Sequence, residues 1–210
     1  SSDEESSQKG ERQDSQADGE VLRQNKGCPM SLKGVDDFNW RLRKLNETTT
    51  IKPFYSGDED LDDFLLSDAV AYYKQRLAVT YIIETRTKTV AYFTLSNDSI
   101  RRDVDLKTWN KINRKVPNSK RKGNYPAVKI GRLAVGKEYA GGGFGEFIIS
   151  FVKNKYRENF GDRSAGCRFI TVDSYGTTTD FYQKQGFKFF TEKDEGKDTL
   201  IMYFDMLSQA

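Results

Sequence analysis

The sequence contains no histidine among its 210 residues. Histidine is shared by the common Ser-His-Asp and Cys-His nucleophilic sites, and it belongs to the usual zinc ligand sets. Its absence excludes those sites in their common forms, and we expect no metal site. Any general acid or base must therefore be Tyr, Asp, Glu, Lys, Cys or water.

Cysteines and long apolar runs are also scarce. The two cysteines, Cys28 and Cys167, do not make a disulfide framework, which favours a reducing, cytoplasmic location. No apolar run approaches the roughly 18 residues that a membrane helix needs. No secretory signal is visible at the N-terminus. The sequence thus predicts a protein without a membrane partner.

The first 30 positions hold almost no apolar residues. Residues 1–30 are mostly Ser, Gln, Glu, Asp and Gly, and such a segment cannot bury enough surface to order itself. We expect a disordered tail or a remnant of expression cloning there. The folded domain is predicted over residues 38–207, in the α/β class. Its order of strands and helices implies a mixed sheet flanked by helices.

Glycine is concentrated at one point of the chain. An apolar strand ending in Leu133-Ala134-Val135 leads to Gly141-Gly142-Gly143-Phe144-Gly145 and then to a strongly amphipathic helix. Closely spaced glycines let a backbone approach a ligand, and the helix behind them points its free N–H groups the same way. This pattern is typical of an anion cradle and suggests a phosphate-bearing ligand. A tight turn without a ligand is the alternative.

Two generic phosphate motifs do not fit this loop. A nucleotide P-loop needs Lys and then Ser/Thr after its last glycine, whereas Gly145 is followed by Glu146 and Phe147. A dinucleotide fingerprint needs a glycine at position 146 and lies near the first strand of a βαβ unit.

The loop and a second motif together resemble the GCN5-related N-acetyltransferases (GNAT). Gly141-x-Gly143 follows the strand, and a helix and a strand later the chain reads FYQKQGF over residues 181–187. In that family the loop amides bind the pyrophosphate of acetyl-CoA, and the second motif carries a tyrosine near the cofactor sulfur. The resemblance covers about residues 40–206. It implies the GNAT fold, with a mixed, mostly antiparallel sheet, and acetyl-CoA as co-substrate.

The resemblance also implies the cofactor-binding residues. The loop amides would donate to phosphate oxygens, while the strand would pair with the pantetheine arm and stabilise the oxyanion that forms on attack. These residues are Leu133, Ala134, Val135, Ala140, Gly141, Gly142, Gly143, Phe144 and Gly145. The family has Gln or Arg where this chain has Glu138. We expect Glu138 to point outward, with Lys137 or backbone amides facing the ligand.

Tyr182 is the candidate catalytic residue. The departing thiolate needs a proton, and a phenol within reach can donate it. The alternative is a core aromatic on a short amphipathic helix. The base is less defined, with Asp173, Glu138 and an ordered water as candidates. An aspartate at the end of a strand is more often a helix cap.

A basic stretch lies between the predicted hairpin and the cofactor strand. Residues 101–122 hold nine lysines and arginines against two aspartates, and Lys120, Arg121 and Lys122 are consecutive. Such a cluster can steer polyanions, or it can be a solvated loop. The segment around Pro53-Phe54-Tyr55, together with the GRLAV strand, looks like a GNAT branch that includes toxins acetylating the amino group of aminoacyl-tRNA.

These observations predict an N-acetyltransferase that moves acetyl from acetyl-CoA to a primary amine by direct attack. The acceptor would be a small molecule or a peptide. Two alternatives stand beside this prediction: a toxin that acts on aminoacyl-tRNA, and a non-catalytic module that binds acyl-CoA. A homodimer and an antitoxin partner are left open.

Overall fold

The computed structural model describes residues 21–24, 40–102, 105–117, 123–158, 165–190 and 199–208. Within these ranges eight strands form one sheet. The strands are β1 Val21–Gln24, β2 Arg41–Lys44, β3 Val79–Glu84, β4 Thr89–Arg101, β5 Asn124–Val135, β6 Phe169–Tyr175, β7 Lys188–Phe189 and β8 Thr199–Asp205. The helices are α1 Glu59–Asp63, α2 Ala69–Lys74, α3 Leu106–Asn113, α4 Phe144–Glu158 and α5 Thr179–Lys184.

The sheet has the order β1-β2-β3-β4-β5-β6-β8-β7. Every neighbouring pair is antiparallel except β5 and β6, which run parallel. Helix α4 connects these two strands, as a parallel crossover requires. The predicted mixed, mostly antiparallel sheet flanked by helices is confirmed.

Strand β1 lies within the segment 1–30 for which composition predicts disorder. It pairs with β2, so that Val21 lies opposite Arg43 and Gln24 lies opposite Arg41. Composition does not reveal this pairing, because it depends on the backbone partners that the edge of β2 offers. The other residues of this segment, including Cys28, lie outside the described ranges.

Helix α4 covers one face of the sheet. Phe144, Phe147, Ile148 and Val152 recur at the predicted helical spacing, and all four are buried. They join the largest apolar cluster, which includes alternate residues of the central strands such as Ile130. The predicted amphipathic helix behind the glycines is therefore confirmed.

Two separate helical groups cover the opposite face. Helices α1 and α2, joined by a π-helical turn over Phe64–Asp68, pack on Tyr92 and Ala134 at one end. Helix α3 packs Trp109 on Tyr125 at the other end, with ring centroids 4.7 Å apart. Between the two groups lies a part of the sheet with polar side chains, which we call the polar strip; it includes Asp98, Lys129, Thr171 and Asp173. No helix among the described residues is long and apolar enough to cross a membrane.

Candidate active site

Strands β5 and β6 separate in the middle of the sheet. Their parallel pairing begins at Ala127–Phe169 and ends at Ile130–Val172, although both strands continue. Beyond that point the described part of the chain pairs β5 with β4 alone. The other edge of Leu133–Val135 therefore faces the gap between the parting strands, which we call the cleft, with backbone N–H and C=O groups that need partners. This is the edge that the sequence predicts for the pantetheine arm.

A β-bulge in β5 marks the place where the strands part. The register with β4 moves from Ile130–Leu95 to Leu133–Phe93, so two residues, Gly131 and Arg132, oppose the single residue between them. That residue, Thr94, accepts a hydrogen bond from the Arg132 backbone N–H at 2.9 Å. Bulges redirect side chains and interrupt pairing. Here the bulge brings Leu133 to the mouth of the cleft.

The glycine loop follows a 3-10 turn over Lys137–Tyr139. Gly141 and Gly143 have φ of 71° and 87°, in the left-handed region that favours glycine. The amides of Ala140 and Gly142 donate to carbonyls of the turn at 3.4 and 3.0 Å. Those two amides are therefore already used within the turn. The sequence predicts phosphate contacts for every amide from 140 to 145. In the loop, the other four amides of this range are more available for such contacts than those of Ala140 and Gly142.

Four amides of the predicted set have no backbone acceptor among the described residues. They belong to Gly141, Gly143, Phe144 and Gly145, and the last two lie in the first turn of α4, where helical N–H groups lack partners. Unused N–H groups at a helix N-terminus can donate to an anion. Gly145 has a second reason to be glycine, because a Cβ there would come within 3.0 Å of the Phe181 ring. This close approach brings α5 beside the loop.

Glu138 contacts the β3–β4 turn and not the loop amides. Both of its carboxylate oxygens accept hydrogen bonds from Lys88 Nζ, at 2.8 and 2.9 Å, and this pairing raises the pKa of Lys88. Lys137 does not face the loop either, since its Nζ lies 5.8 Å from the Tyr55 ring centroid. Anion binding by the backbone amides therefore stays the prediction for this loop.

Tyr182 lies in α5 with its ring between two phenylalanines. The ring centroids of Phe181 and Phe187 are 5.1 and 5.5 Å away. Burial raises the pKa of Tyr182 to about 12. The phenol is therefore protonated at neutral pH, and a general acid must hold a proton to donate it. The ring is partly buried against the largest apolar cluster, and its role as general acid stays a prediction.

Asp173 is the first residue of β6 beyond the pairing with β5. It forms an ion pair with Lys129. A cavity of about 220 Å³ adjoins this pair, and Asp98 there accepts a hydrogen bond from Thr171 Oγ1 at 2.5 Å. Asp173 does not cap the next helical turn, whose N-cap is Tyr175. Its role as base stays a prediction.

Sequence reasoning missed three residues near this site: Asp98 and Lys129 on the polar strip, and Arg132, which packs on Phe64. All three are charged side chains within strands that are otherwise apolar or uncharged nearby. By strand alternation, Asp98 and Lys129 lie on the face opposite α4. The sequence signal that could have identified them is an isolated charged residue within a central strand.

The predicted basic surface is described only in part. Lys120, Arg121 and Lys122 lie outside the described residues. The six other cations of the stretch are exposed: Arg101, Arg102, Lys107, Lys111, Arg114 and Lys115. No group of three or more His, Cys, Asp or Glu side chains within the described ranges could hold a metal ion.

Comparisons with known proteins agree with this geometry. A family model described as an acetyltransferase (GNAT) domain matches residues 118–208. No curated protein matches the chain. A solved structure of a tyrosine-to-phenylalanine mutant of KacT has a TM-score of 0.66 at 18% identity, covering 80% of this chain and 95% of that one.

Two structures of AtaT are similar to a comparable degree. AtaT complexed with acetyl-methionyl-tRNAfMet has a TM-score of 0.64 at 21% identity, covering 80% of this chain and 95% of that chain. AtaTR bound with acetyl-CoA has a TM-score of 0.62 at 20% identity, covering 80% and 94%. At these identities the likeness concerns the fold.

Proposed function

We propose that this chain, of which residues 118–208 match a GNAT acetyltransferase domain model and whose fold is similar to that of KacT, transfers the acetyl group of acetyl-CoA to a primary amine by direct attack. The observation that carries the proposal is the separation of β5 from β6 immediately before the loop with unused amides. An extended amide-bearing arm can pair with the open edge of Leu133–Val135. A diphosphate can then accept hydrogen bonds at Gly141, Gly143 and the start of α4. Acetyl-CoA joins those two chemical groups in one molecule.

The reaction needs three contributions from the chain. The amine nitrogen attacks the thioester carbonyl carbon, a C–N bond forms and the C–S bond breaks. The Leu133 amide at the bulge is in a suitable position to donate to the carbonyl oxygen as charge develops there. Tyr182 gives its phenolic proton to the departing thiolate. The proton that the amine loses passes to a base, for which Asp173 and water are the candidates.

The test replaces Tyr182 by Phe and measures thiol release from acetyl-CoA over a panel of amines. General acid catalysis contributes about 10²- to 10⁴-fold, so kcat should fall at least a hundredfold. Coenzyme A affinity, followed by calorimetry, should stay the same because the phenyl ring keeps its packing. Tyr203→Phe is the matched control, since Tyr203 is also buried and its pKa is also raised by burial.

Two outcomes would contradict the proposal. Binding of acetyl-CoA without thiol release for any amine would make the chain a non-catalytic acyl-CoA-binding module. If neither coenzyme A nor its acylated forms bound, the glycine loop would not be a binding site for their diphosphate.

Aminoacyl-tRNA is the second candidate acceptor. The supporting observations are the similar fold of AtaT, solved with acetyl-methionyl-tRNAfMet, and the six exposed cations between residues 101 and 115. Lys and Arg contacts to phosphates make binding strongly dependent on salt. A tRNA acceptor should therefore be acetylated much more slowly at 200 mM than at 50 mM salt.

A triple variant provides the matching test. Replacing Lys120, Arg121 and Lys122 by Gln should reduce acetylation of charged tRNA while activity on small amines is retained. Equal activity of wild type and triple variant on charged tRNA would count against this acceptor.

A further inference from the structure

Resting on the proposed function, we propose that Arg132 binds an oxyanion of the acceptor, so that the preferred substrate is a primary amine that also carries a carboxylate or a phosphate. Arg132 is the second residue of the bulge and immediately precedes Leu133. Its side chain lies on the face covered by α1 and α2, opposite α4. The guanidinium therefore lies next in the chain to the free edge of β5, on the face opposite α4.

The guanidinium is held on an aromatic platform. Arg132 Cζ lies 3.9 Å from the Phe64 ring centroid and 5.8 Å from that of Tyr72. The platform is itself fixed: Phe64 stacks on Tyr92 at 6.1 Å, and the Tyr92 hydroxyl donates to the Leu61 carbonyl at 2.7 Å. Stacking orients the plane of an arginine without using its N–H donors.

A π-helical turn produces this platform. The turn spans Phe64–Asp68 and interrupts what would otherwise be one α-helix from Glu59 to Lys74. π-Helical turns are uncommon and occur frequently at functional sites. This one begins at Phe64, the residue beneath the guanidinium.

The donors of Arg132 have no acceptor in the described part of the chain. Its Nε is buried and lacks a hydrogen-bond partner. An arginine has five N–H donors in a planar fork that matches the oxygens of carboxylates and phosphates. Elsewhere in the chain such a fork is used, since Arg168 donates to both oxygens of Asp205 at 3.2 and 2.9 Å.

Two acids of the segment beside this site accept hydrogen bonds from other groups, whereas Asp60 is exposed to solvent. Asp62 accepts from the Ser56 backbone N–H and hydroxyl at 2.8 and 2.6 Å, and Asp58 caps α1 by accepting from the Leu61 N–H. On the polar strip, Asp173 is paired with Lys129. Among the described residues no acid forms an ion pair with Arg132, so a bound anion would supply the charged partner that the chain does not.

The test compares three amines of similar length that differ in the far group: ethanolamine, β-alanine and O-phosphoethanolamine. Ligand-observed NMR titrations use the protein with and without coenzyme A, which carries no acetyl group and so allows no turnover. We expect the two anions to bind at least about tenfold more tightly than ethanolamine, since hydrogen bonds between charged groups are the strong ones. The carboxylate and phosphate arms show which oxyanion is preferred.

Three variants accompany the titrations. R132M should reduce the preference for the anions at least about tenfold, and R132K, which keeps the charge but loses the fork, should be intermediate. K155M is the control, because Lys155 is a cation that also lies near an aromatic ring, 5.8 Å from the Tyr81 centroid. Thermal unfolding shows whether each variant is folded.

Two results would overturn the inference: equal binding of all three amines, or an unchanged preference in both Arg132 variants. Both are binding results, so they hold whether or not acetyl transfer is observed. A failure of the proposed function is seen separately, as anion binding without thiol release from acetyl-CoA.

Discussion

Arg43 and Arg132 lie on the same face of the sheet but differ in how their charge is satisfied. Arg43 is 1% exposed, and its Nε and Nη2 donate to the two oxygens of the fully buried Glu84 at 2.9 and 3.3 Å. Arg41 and Lys52 reach the same carboxylate, at 2.7 and 3.2 Å. Arg132 has an aromatic platform and no acid among the described residues. Each guanidinium keeps one buried nitrogen without a partner, Nη1 in Arg43 and Nε in Arg132, so the difference between them is the acid that Arg43 contacts and Arg132 does not.

The largest expected effect comes from removing the acid that Arg43 contacts, because the charge of Arg43 is buried and would then have no carboxylate partner. Glu84→Ala removes the carboxylate and buries the positive charge without a partner. Breaking a buried pair in this way costs about 3–5 kcal/mol in the free energy of unfolding. Chemical denaturation measures it.

Glu138→Gln is the control for that experiment. It removes a carboxylate that also accepts from a lysine, but both side chains of that pair are about half exposed. We expect no measurable change in the free energy of unfolding. A similar loss in both variants would show that burial does not distinguish the two ion pairs.

Arg132→Met should have a much smaller effect on stability than Arg43→Met. The methionine keeps apolar contact with Phe64, and a partly exposed cation–π contact contributes about 0.5–1 kcal/mol. Arg43→Met should cost several times more, because it leaves Glu84 buried without its main partner. If denaturation gave equal losses, Arg132 would be a structural residue and the comparison would fail.

The sequence predicts the fold more fully than it predicts this site. Apolar periodicity is local, so the helix containing Phe147 and Ile148 and the strands on either side of the glycines could be found from spacing alone. The resemblance to a known family supplied the place of Tyr182. The strand-edge position of Val21–Gln24 could not be predicted, because it depends on a distant partner strand.

The details of the site depend on contacts between distant residues. Lys129 and Asp173 are 44 positions apart and meet only when β5 and β6 pair. The position of Arg132 depends on the bulge, and its packing depends on the π-helical turn that begins at Phe64. Neither feature has a strong local sequence pattern. Which loop amides remain unused likewise depends on the 3-10 turn before them, so composition can suggest an anion cradle without specifying its donors.

The smallest expected effect is a dependence of stability on acidity that belongs to the Arg43 cluster. Burial pushes the pKa of Glu84 upward, but hydrogen bonds from Arg43 and Arg41 outweigh it and hold the pKa below its usual value. An unfolded glutamate titrates near roughly 4.3. A group with a depressed pKa stabilises the fold above that value, and the contribution is lost as pH falls through the lower, folded pKa.

Glu84→Gln should therefore flatten the decline in stability between about pH 5 and the acid limit. Asp105 and Asp205 also have lowered pKa values, so they contribute to the decline in stability that remains in Glu84→Gln. The quantity to measure is the difference in slope between the wild type and Glu84→Gln. Arg132→Met should leave the slope as it is in the wild type, because no acid depends on that guanidinium. A slope that changed in Arg132→Met would reveal a carboxylate paired with Arg132, and the proposed anion site would then already hold an anion from the chain itself.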